Sequence, residues 1–213
     1  MDQHLFLFGG SPPFGRIHGK QFASLCKSKK NGHVAIFCLN RKGWQTYMPK
    51  YQHILEEEGV TDFRYYLLEE TKSIRSEKIT GIIICGGDTL SYHHYIVTKR
   101  VGEEIKQLFQ EGVPIAGFSA GALICSEYCM VSPSDYKGDK LMVLNGLGIL
   151  QDYIIAAHYT KWNERQNLLA VMTETKTEKG LGLDDEASVY LKNGHIESLE
   201  GKNVHIEKGW SFE

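Results

Sequence analysis

The chain has 213 residues, of which 42% are hydrophobic and 23% charged, a composition that suits one globular domain with a sizeable core. A net charge of −2 and a pI near 6.5 argue against a nucleic-acid-binding or membrane-surface protein, because both need a basic face. No apolar run approaches the ~20 residues that span a bilayer, and the acidic N-terminus without a basic start predicts no signal peptide.

In the first half of the chain, short apolar runs alternate with helical patterns. The predicted strands are residues 5–8, 33–38, 63–68, 81–85 and 113–117. The predicted helices are residues 16–27, 44–58, 92–110 with a break near Gly102, and 122–127. Several of these strands are apolar on both faces, as in a parallel sheet that helices cover on both sides. The pattern therefore predicts a three-layer α/β/α sandwich.

The second half has a looser pattern. Residues 130–145 form an irregular excursion with room for a strand or two, followed by a strand at 154–157 and a helix at 162–174. Short apolar segments separated by turn residues then predict hairpin strands that extend the sheet. These segments are residues 180–183, 187–191, 194–199 and 203–206. We see neither a linker nor a repeat, and expect a single domain over residues 1–213.

The cysteines are odd in number, lie mostly in apolar runs and form no C-x-x-C motif, which is typical of reduced core thiols in a cytoplasmic protein. They are Cys26, Cys38, Cys85, Cys125 and Cys129. Cys125 and Cys129 are four residues apart on a predicted helix, so a metal pair is the alternative. No histidine stands near them at ligand spacing, and we expect no metal.

A G-x-S-x-G motif, Gly117 to Gly121, lies between a predicted strand and a predicted helix. A serine on such a strand–turn–helix unit is the nucleophile in many hydrolases, and glycines allow the close approach of neighbouring backbone. The motif alone also fits a plain β–α turn. Ser119 is the candidate nucleophile, and its function depends on a base and an oxyanion site elsewhere in the chain.

Polar residues follow three other predicted strands, and ligands of open α/β sheets bind at the carboxyl ends of the strands. In Gly86-Gly87-Asp88-Thr89, the Gly87 N–H could pair with that of Ala120 as an oxyanion hole, while Asp88 could cap the next helix. His158, after residues 154–157, is the candidate base, and a core histidine is the alternative.

The acid that would orient His158 comes from the run Asp184, Asp185 and Glu186, which could also be only a solvated turn. His93 and His94 follow the Gly-Gly-Asp loop and could reach substrate. The order Ser, His, acid differs from the Ser, acid, His order of α/β-hydrolases, which counts against an esterase–lipase fold.

Four segments resemble the peptidase E and cyanophycinase family of serine peptidases, peptidase S51, which has the class I glutamine-amidotransferase-like (flavodoxin-like) fold. They are residues 84–90 (ICGGDTL), 113–122 (VPIAGFSAGA), 146–150 (GLGIL) and 157–159 (AHY). The similarity extends over nearly the whole chain. It implies that Ser119 is the nucleophile, His158 the base, and Gly87 and Ala120 the oxyanion donors.

The resemblance also assigns residues around this centre. It places Asp185 at the family's acid, with Glu186 as the second choice, and it implies that Asp88, Thr89, Asp135 and Arg165 lie near the substrate. An arginine there could bind a substrate carboxylate bidentately.

The chain departs from the family pattern at Cys85 and Asp88, where the family has glycine and asparagine. The family has a second arginine in the helix that follows the catalytic histidine. This chain lacks it and has Leu168 near its place. The added negative charge of Asp88 would disfavour an anionic substrate side chain. Specificity for an N-terminal aspartate is therefore not implied.

The sequence thus predicts a cytoplasmic serine peptidase, a dipeptidase E-like exopeptidase of small peptides, without cofactor and as monomer or homodimer. One alternative is a catalytically inactive binding or regulatory relative. Others are an amidase or acyl hydrolase with non-peptide substrates, and an enzyme that uses Cys85 as nucleophile.

Overall fold

The computed structural model describes residues 1–29 and 31–209. The strands are β1 (His4–Phe8), β2 (His33–Cys38), β3 (Phe63–Leu67), β4 (Ile79–Ile84), β5 (Ile115–Phe118), β6 (Tyr128–Val131), β7 (Met142–Asn145), β8 (Tyr153–Ala157), β9 (Lys179–Leu183), β10 (Ser188–Lys192), β11 (His195–Glu200) and β12 (Val204–Lys208). The α-helices are α1 (Arg16–Ser28), α2 (Met48–Glu57), α3 (Thr89–Tyr92), α4 (Arg100–Gln110), α5 (Ala120–Leu123), α6 (Pro133–Tyr136) and α7 (Arg165–Thr175). A 3₁₀ turn (Trp44–Tyr47) precedes α2, and a π-helical segment (His93–Val97) follows α3.

A seven-stranded sheet in the order β11-β10-β1-β5-β4-β2-β3 forms the centre of the molecule. From β1 to β3 all neighbouring strands are parallel, and β10 and β11 add an antiparallel hairpin at the β1 edge. Every residue of β2 and β4 is buried, because helices cover both faces of the sheet. The predicted mostly parallel α/β sheet is confirmed.

A second sheet, in the order β12-β9-β8, corrects the prediction that all the late strands extend the first one. Strand β9 is parallel to β8 and antiparallel to β12. These strands bury a second apolar cluster, in which Ile154 packs with Leu168 and Met172 of α7. Alternation in the sequence predicts a strand but not its partner, which is why the prediction was wrong here.

The helix predicted at residues 122–127 ends at Leu123. Beyond this point the backbone pairs with residues 146–150: the Leu147 N–H donates to the Ile124 carbonyl at 2.7 Å, and Ser126 bridges Leu150. Strands β6 and β7 form an antiparallel hairpin within the predicted irregular excursion.

The helix predicted at residues 92–110 is interrupted at Thr98 and Lys99 rather than at Gly102. The Thr98 hydroxyl donates to the His94 carbonyl, and the Thr98 N–H donates to His93, which ends the π-helical segment. Gly102 lies inside α4.

The five cysteines are free and buried. Burial raises the pKa of the Cys85 thiol well above its ordinary range, which argues against Cys85 as nucleophile. Within residues 1–29 and 31–209, no helix is long and apolar enough to cross a membrane, and no cluster of three His, Cys, Asp or Glu side chains could hold a metal ion.

Candidate active site

Ser119 lies in the turn between β5 and α5 with φ +46° and ψ −109°, a conformation that L-residues rarely adopt. The turn passes so close to β4 that a Cβ on Gly121 would overlap the Ile84 carbonyl. Glycine at 121 is therefore required for the turn to pack on the sheet. The result is a serine at the carboxyl end of the central strand, with only 7% of its surface exposed.

His158 is brought to Ser119 from the second sheet. It follows β8, and its own N–H donates to the Gly9 carbonyl at 3.1 Å, while the Ser119 N–H donates to the Phe8 carbonyl at 2.9 Å. The end of β1 thus holds both residues. The Ser119 Oγ and His158 Nε2 atoms are 3.0 Å apart, which is hydrogen-bond distance.

Asp184 and Asp185 of the acidic run have different hydrogen-bond partners. Asp185 Oδ1 hydrogen-bonds His158 Nδ1, and Asp185 Oδ2 accepts from Lys161 Nζ at 3.0 Å. Asp184 instead accepts from the Thr160 N–H at 2.7 Å and from the Asn203 amide at 2.9 Å. Asp185, not Glu186, is therefore the carboxylate that contacts the histidine.

The charges around Asp185 favour its ionised form. Partial burial raises the pKa of Asp185, but the hydrogen bonds from His158 and Lys161 outweigh burial and hold the pKa below its ordinary value. An anionic Asp185 fixes the His158 tautomer with its proton on Nδ1, leaving Nε2 free to accept a proton from Ser119.

The N–H groups of Gly87 and Ala120 are available. Within residues 1–29 and 31–209, neither donates a hydrogen bond to another protein group. The loop they border lies against the serine, since a Cβ on Gly86 would be 3.4 Å from Ser119 Cβ. Such a pair of unpaired donors beside a serine can stabilise a negative oxygen.

An acidic cluster, formed by Asp88 and Asp135, adjoins this centre. Asp88 caps α3 by accepting from the Ser91 N–H at 2.8 Å. The buried Thr89 Oγ1 and Asp135 Oδ2 atoms lack a hydrogen-bond partner of good geometry in the described structure. Burial first, and then the negative charges of Asp88 and Glu164, raise the pKa of Asp135 to about 6 against the lowering effects of Thr89 and His158.

Three residues proposed from the sequence for substrate contact have partners elsewhere. Arg165, 56% exposed, binds Glu207 through Nε at 2.9 Å. His93 hydrogen-bonds the Asn145 carbonyl at 2.9 Å, and His94 packs on Tyr95. The Arg165 guanidinium is neutralised by Glu207 of the second sheet.

Three residues that follow His158 escaped the sequence analysis. Lys161 binds Asp185, and the Trp162 ring packs on the His158 ring with centroids 4.3 Å apart. Glu164 is buried and accepts from Ser132 and Asn167. Their closeness to His158 along the chain was the available signal, but a lysine and a tryptophan after a histidine do not by themselves indicate chemistry.

The fold and this site define an α/β protein with a serine-hydrolase arrangement: a serine at a strand end, a histidine and a carboxylate in one hydrogen-bonded row. The model of Peptidase family S51 matches residues 28–199, so the chain belongs to this family of serine peptidases. The resemblance inferred from the sequence is thereby confirmed.

Curated relatives agree with this membership. The cyanophycinase of Geminocystis herdmanii is 26% identical over 209 residues, covering 91% of this chain and 77% of that protein. The cyanophycinase of Synechococcus elongatus is 26% identical over 169 residues, which cover 73% of this chain. This chain matches only 52% of the length of the latter protein.

Two solved structures share the fold. The crystal structure of a peptidase from an acI-B1 actinobacterium superposes with a TM-score of 0.71 at 17% identity, covering 99% of this chain and 93% of that one. A candidate peptidase E from Listeria monocytogenes gives a TM-score of 0.62, also at 17% identity, covering 98% and 99%.

Proposed function

We propose that this protein is a serine exopeptidase that cleaves small peptides, similar to dipeptidase E. The observation that carries the proposal is the continuous row from Ser119 Oγ through both ring nitrogens of His158 to Asp185. A serine hydroxyl becomes an effective nucleophile only with such an adjacent, oriented base.

In the proposed reaction, Ser119 Oγ attacks the scissile carbonyl while His158 Nε2 takes the hydroxyl proton. The Gly87 and Ala120 N–H groups stabilise the oxyanion of the tetrahedral intermediate. His158 then gives its proton to the leaving amine, which departs as the C–N bond breaks. A water molecule, deprotonated by His158, hydrolyses the acyl-enzyme and restores Ser119. This turn is then a nucleophile elbow.

The acidic cluster of Asp88 and Asp135 supports an exopeptidase rather than an endopeptidase. An exopeptidase that acts at the N-terminus must bind a free ammonium group near the scissile bond. Asp135 and Asp88 supply negative charge near the triad, and the Asp135 carboxylate is an acceptor for that group. A substrate ammonium on Asp135 would remove the cost of its burial.

The proposal is tested by labelling the protein with a fluorophosphonate probe, which reacts only with an activated serine. Wild-type protein should be labelled, and both Ser119→Ala and His158→Ala should lose labelling while keeping their thermal unfolding transition. A panel of dipeptides, N-acylated dipeptides, amides, esters and cyanophycin would then identify the substrate. Dipeptides should be cleaved, and N-acylation should abolish cleavage.

Each other result has a definite meaning. Labelling with cleavage of esters or non-peptide amides alone would favour an acyl hydrolase. A folded wild-type protein that is neither labelled nor active on any substrate would favour the binding or regulatory relative and reject the proposed triad.

A further inference from the structure

The carboxyl end of the central sheet, where Ser119 lies, also carries an arginine that has no carboxylate partner in the described residues. Arg41 follows β2, which is the neighbour of β4, and β4 in turn neighbours β5 and Ser119. We propose that Arg41 binds a carboxylate group of the substrate and so determines which peptides are accepted. The inference rests on the proposed peptidase function and adds a substrate class to it.

The position of Arg41 is fixed by short-range structure. Its N–H donates to the Leu39 carbonyl at 2.9 Å, and its carbonyl accepts from the Trp44 N–H at 3.0 Å. This turn directs the side chain to the glycine loop after β4, where Nη1 is 3.9 Å from the point that a Cβ on Gly87 would occupy. The guanidinium therefore lies beside the loop that carries the proposed oxyanion donor, and Gly86 of the same loop lies against Ser119.

The guanidinium is held but not neutralised. It lies over the Tyr47 ring, 5.1 Å from the centroid, in a cation–π contact. Within residues 1–29 and 31–209 its side chain forms no hydrogen bond or ion pair, whereas Arg64, Arg100 and Arg165 each bind a glutamate. A preorganised arginine with open donors is suited to bind a carboxylate bidentately.

The positive charge of Arg41 influences two residues beside the glycine loop, Cys85 and Tyr92. Burial raises the pKa values of Cys85 and Tyr92, and the positive charge of Arg41 acts in the opposite direction on both. Asp135, whose carboxyl lies near Thr89 and Asp88, carries negative charge in the acidic cluster. A ligand with an ammonium group at one end and a carboxylate at the other would complement both charges.

That carboxylate has two possible sources in a dipeptide: an acidic side chain of the first residue or the α-carboxylate of the second. Four peptides separate the sources, namely Asp-Ala, Asn-Ala and their C-terminal amides. The kcat/KM of wild type, Arg41→Met and Arg41→Lys is measured for each peptide. Arg75→Met is the matched control, because Arg75 is also exposed but precedes the opposite, amino end of β4.

We expect Arg41→Met to lower kcat/KM roughly tenfold to a hundredfold for peptides that carry the recognised carboxylate, mainly through a higher KM. Arg41→Lys should recover part of the loss, since it restores charge but not the planar fork. Loss confined to Asp-Ala and its amide indicates the side chain; loss confined to Asp-Ala and Asn-Ala indicates the α-carboxylate. Equal loss for all four peptides, or loss for none, would overturn the proposal.

A binding measurement keeps this test independent of catalysis. If wild type cleaves none of the peptides, Asp-Ala binding to Ser119→Ala is compared by calorimetry with its binding to the Ser119→Ala/Arg41→Met double variant. Weaker binding to the double variant supports Arg41 even though the peptidase proposal has failed. Equal affinity, or no binding to either protein, rejects the role of Arg41.

Discussion

Asp184 and Asp185 are adjacent carboxylates with different partners, and the difference is settled by geometry rather than by residue type. Asp185 faces His158 and Lys161, while Asp184 ties the backbone of Thr160 to Asn203. Both pKa values lie below the ordinary range: burial raises each one, and hydrogen bonds to the charged form outweigh it. The same chemical change at the two positions should therefore have different consequences.

Asp185→Asn should reduce kcat by a factor on the order of 10²–10⁴, because the amide cannot hold the His158 proton on Nδ1. The neighbouring Asp184→Asn should keep most of the activity and lower the free energy of unfolding by about 1 kcal/mol through a weakened hydrogen bond. Fluorophosphonate labelling rates and urea unfolding check both. A kinetic defect of equal size in the two variants would mean that the acid was assigned wrongly.

At this scale the sequence predicted the residue types well and their contacts less well. Ser119 and His158 stand at strand ends, so their approach follows from the rule that ligands bind at the carboxyl edge. Which of three consecutive acids turns inward depends on one peptide's orientation in a loop, and periodicity carries no signal for that. The ion pair of Arg165 with Glu207 joins residues far apart in the chain, so no local pattern indicates that this guanidinium already has a partner.

Among the elements, the contact between β1 and the loop after β9 determines whether the two halves of the site meet. Gly10 lies so close to that loop that an added Cβ would be 2.5 Å from the Asp185 carbonyl oxygen and 2.7 Å from its Cα. Backbone that passes this closely cannot admit a side chain without moving. The glycine pair after β1 therefore positions the acid and not only the end of a strand.

Gly10→Ala should displace Asp185 from His158 and lower the labelling rate of Ser119 at least tenfold, since sub-ångström misplacement of catalytic groups is costly. Gly59→Ala is the control: its φ of +85° makes alanine strained by about 1–2 kcal/mol, but nothing lies within 4 Å of the added Cβ. That variant should lose stability and keep activity per folded molecule. Undiminished labelling of Gly10→Ala would show that the loop adapts.

The elements themselves were predictable where local pattern sufficed. Strands β1, β2 and β4 are continuous apolar runs, and their parallel pairing follows from the alternation with helices. Strand β9 has the same kind of sequence, yet it belongs to the second sheet. Its partner is fixed by packing on α7, a non-local contact that only the folded chain reveals.

Over the whole molecule, buried histidines and the buried Asp135 carboxyl change the free energy of unfolding in opposite directions as the pH rises. Burial lowers the pKa values of His18 and His33. The free energy of unfolding therefore falls as the pH drops below 6.5, because the unfolded chain then takes up protons that the folded histidines do not. Burial raises the pKa of Asp135 to about 6 from 3.8. The folded state holds that proton more tightly, so the stability contributed by Asp135 is complete below pH 3.8 and lost as the pH rises through 6.

Asp135→Asn should therefore raise the free energy of unfolding at pH 8 by up to about 3 kcal/mol, because the variant no longer ionises a buried carboxyl. At pH 4 the carboxyl of the wild type is largely protonated in the folded state, and the gain should nearly vanish. Urea unfolding at the two pH values measures the difference, and Asp139→Asn, which changes an exposed aspartate near Asp135 in the chain, is the control.

Asp135→Asn should also raise KM for dipeptides if Asp135 receives the substrate ammonium. Greater stability at pH 8 together with weaker substrate binding is the result expected of a residue kept for function at the expense of the fold. An equal change at both pH values would instead assign Asp135 an ordinary structural role.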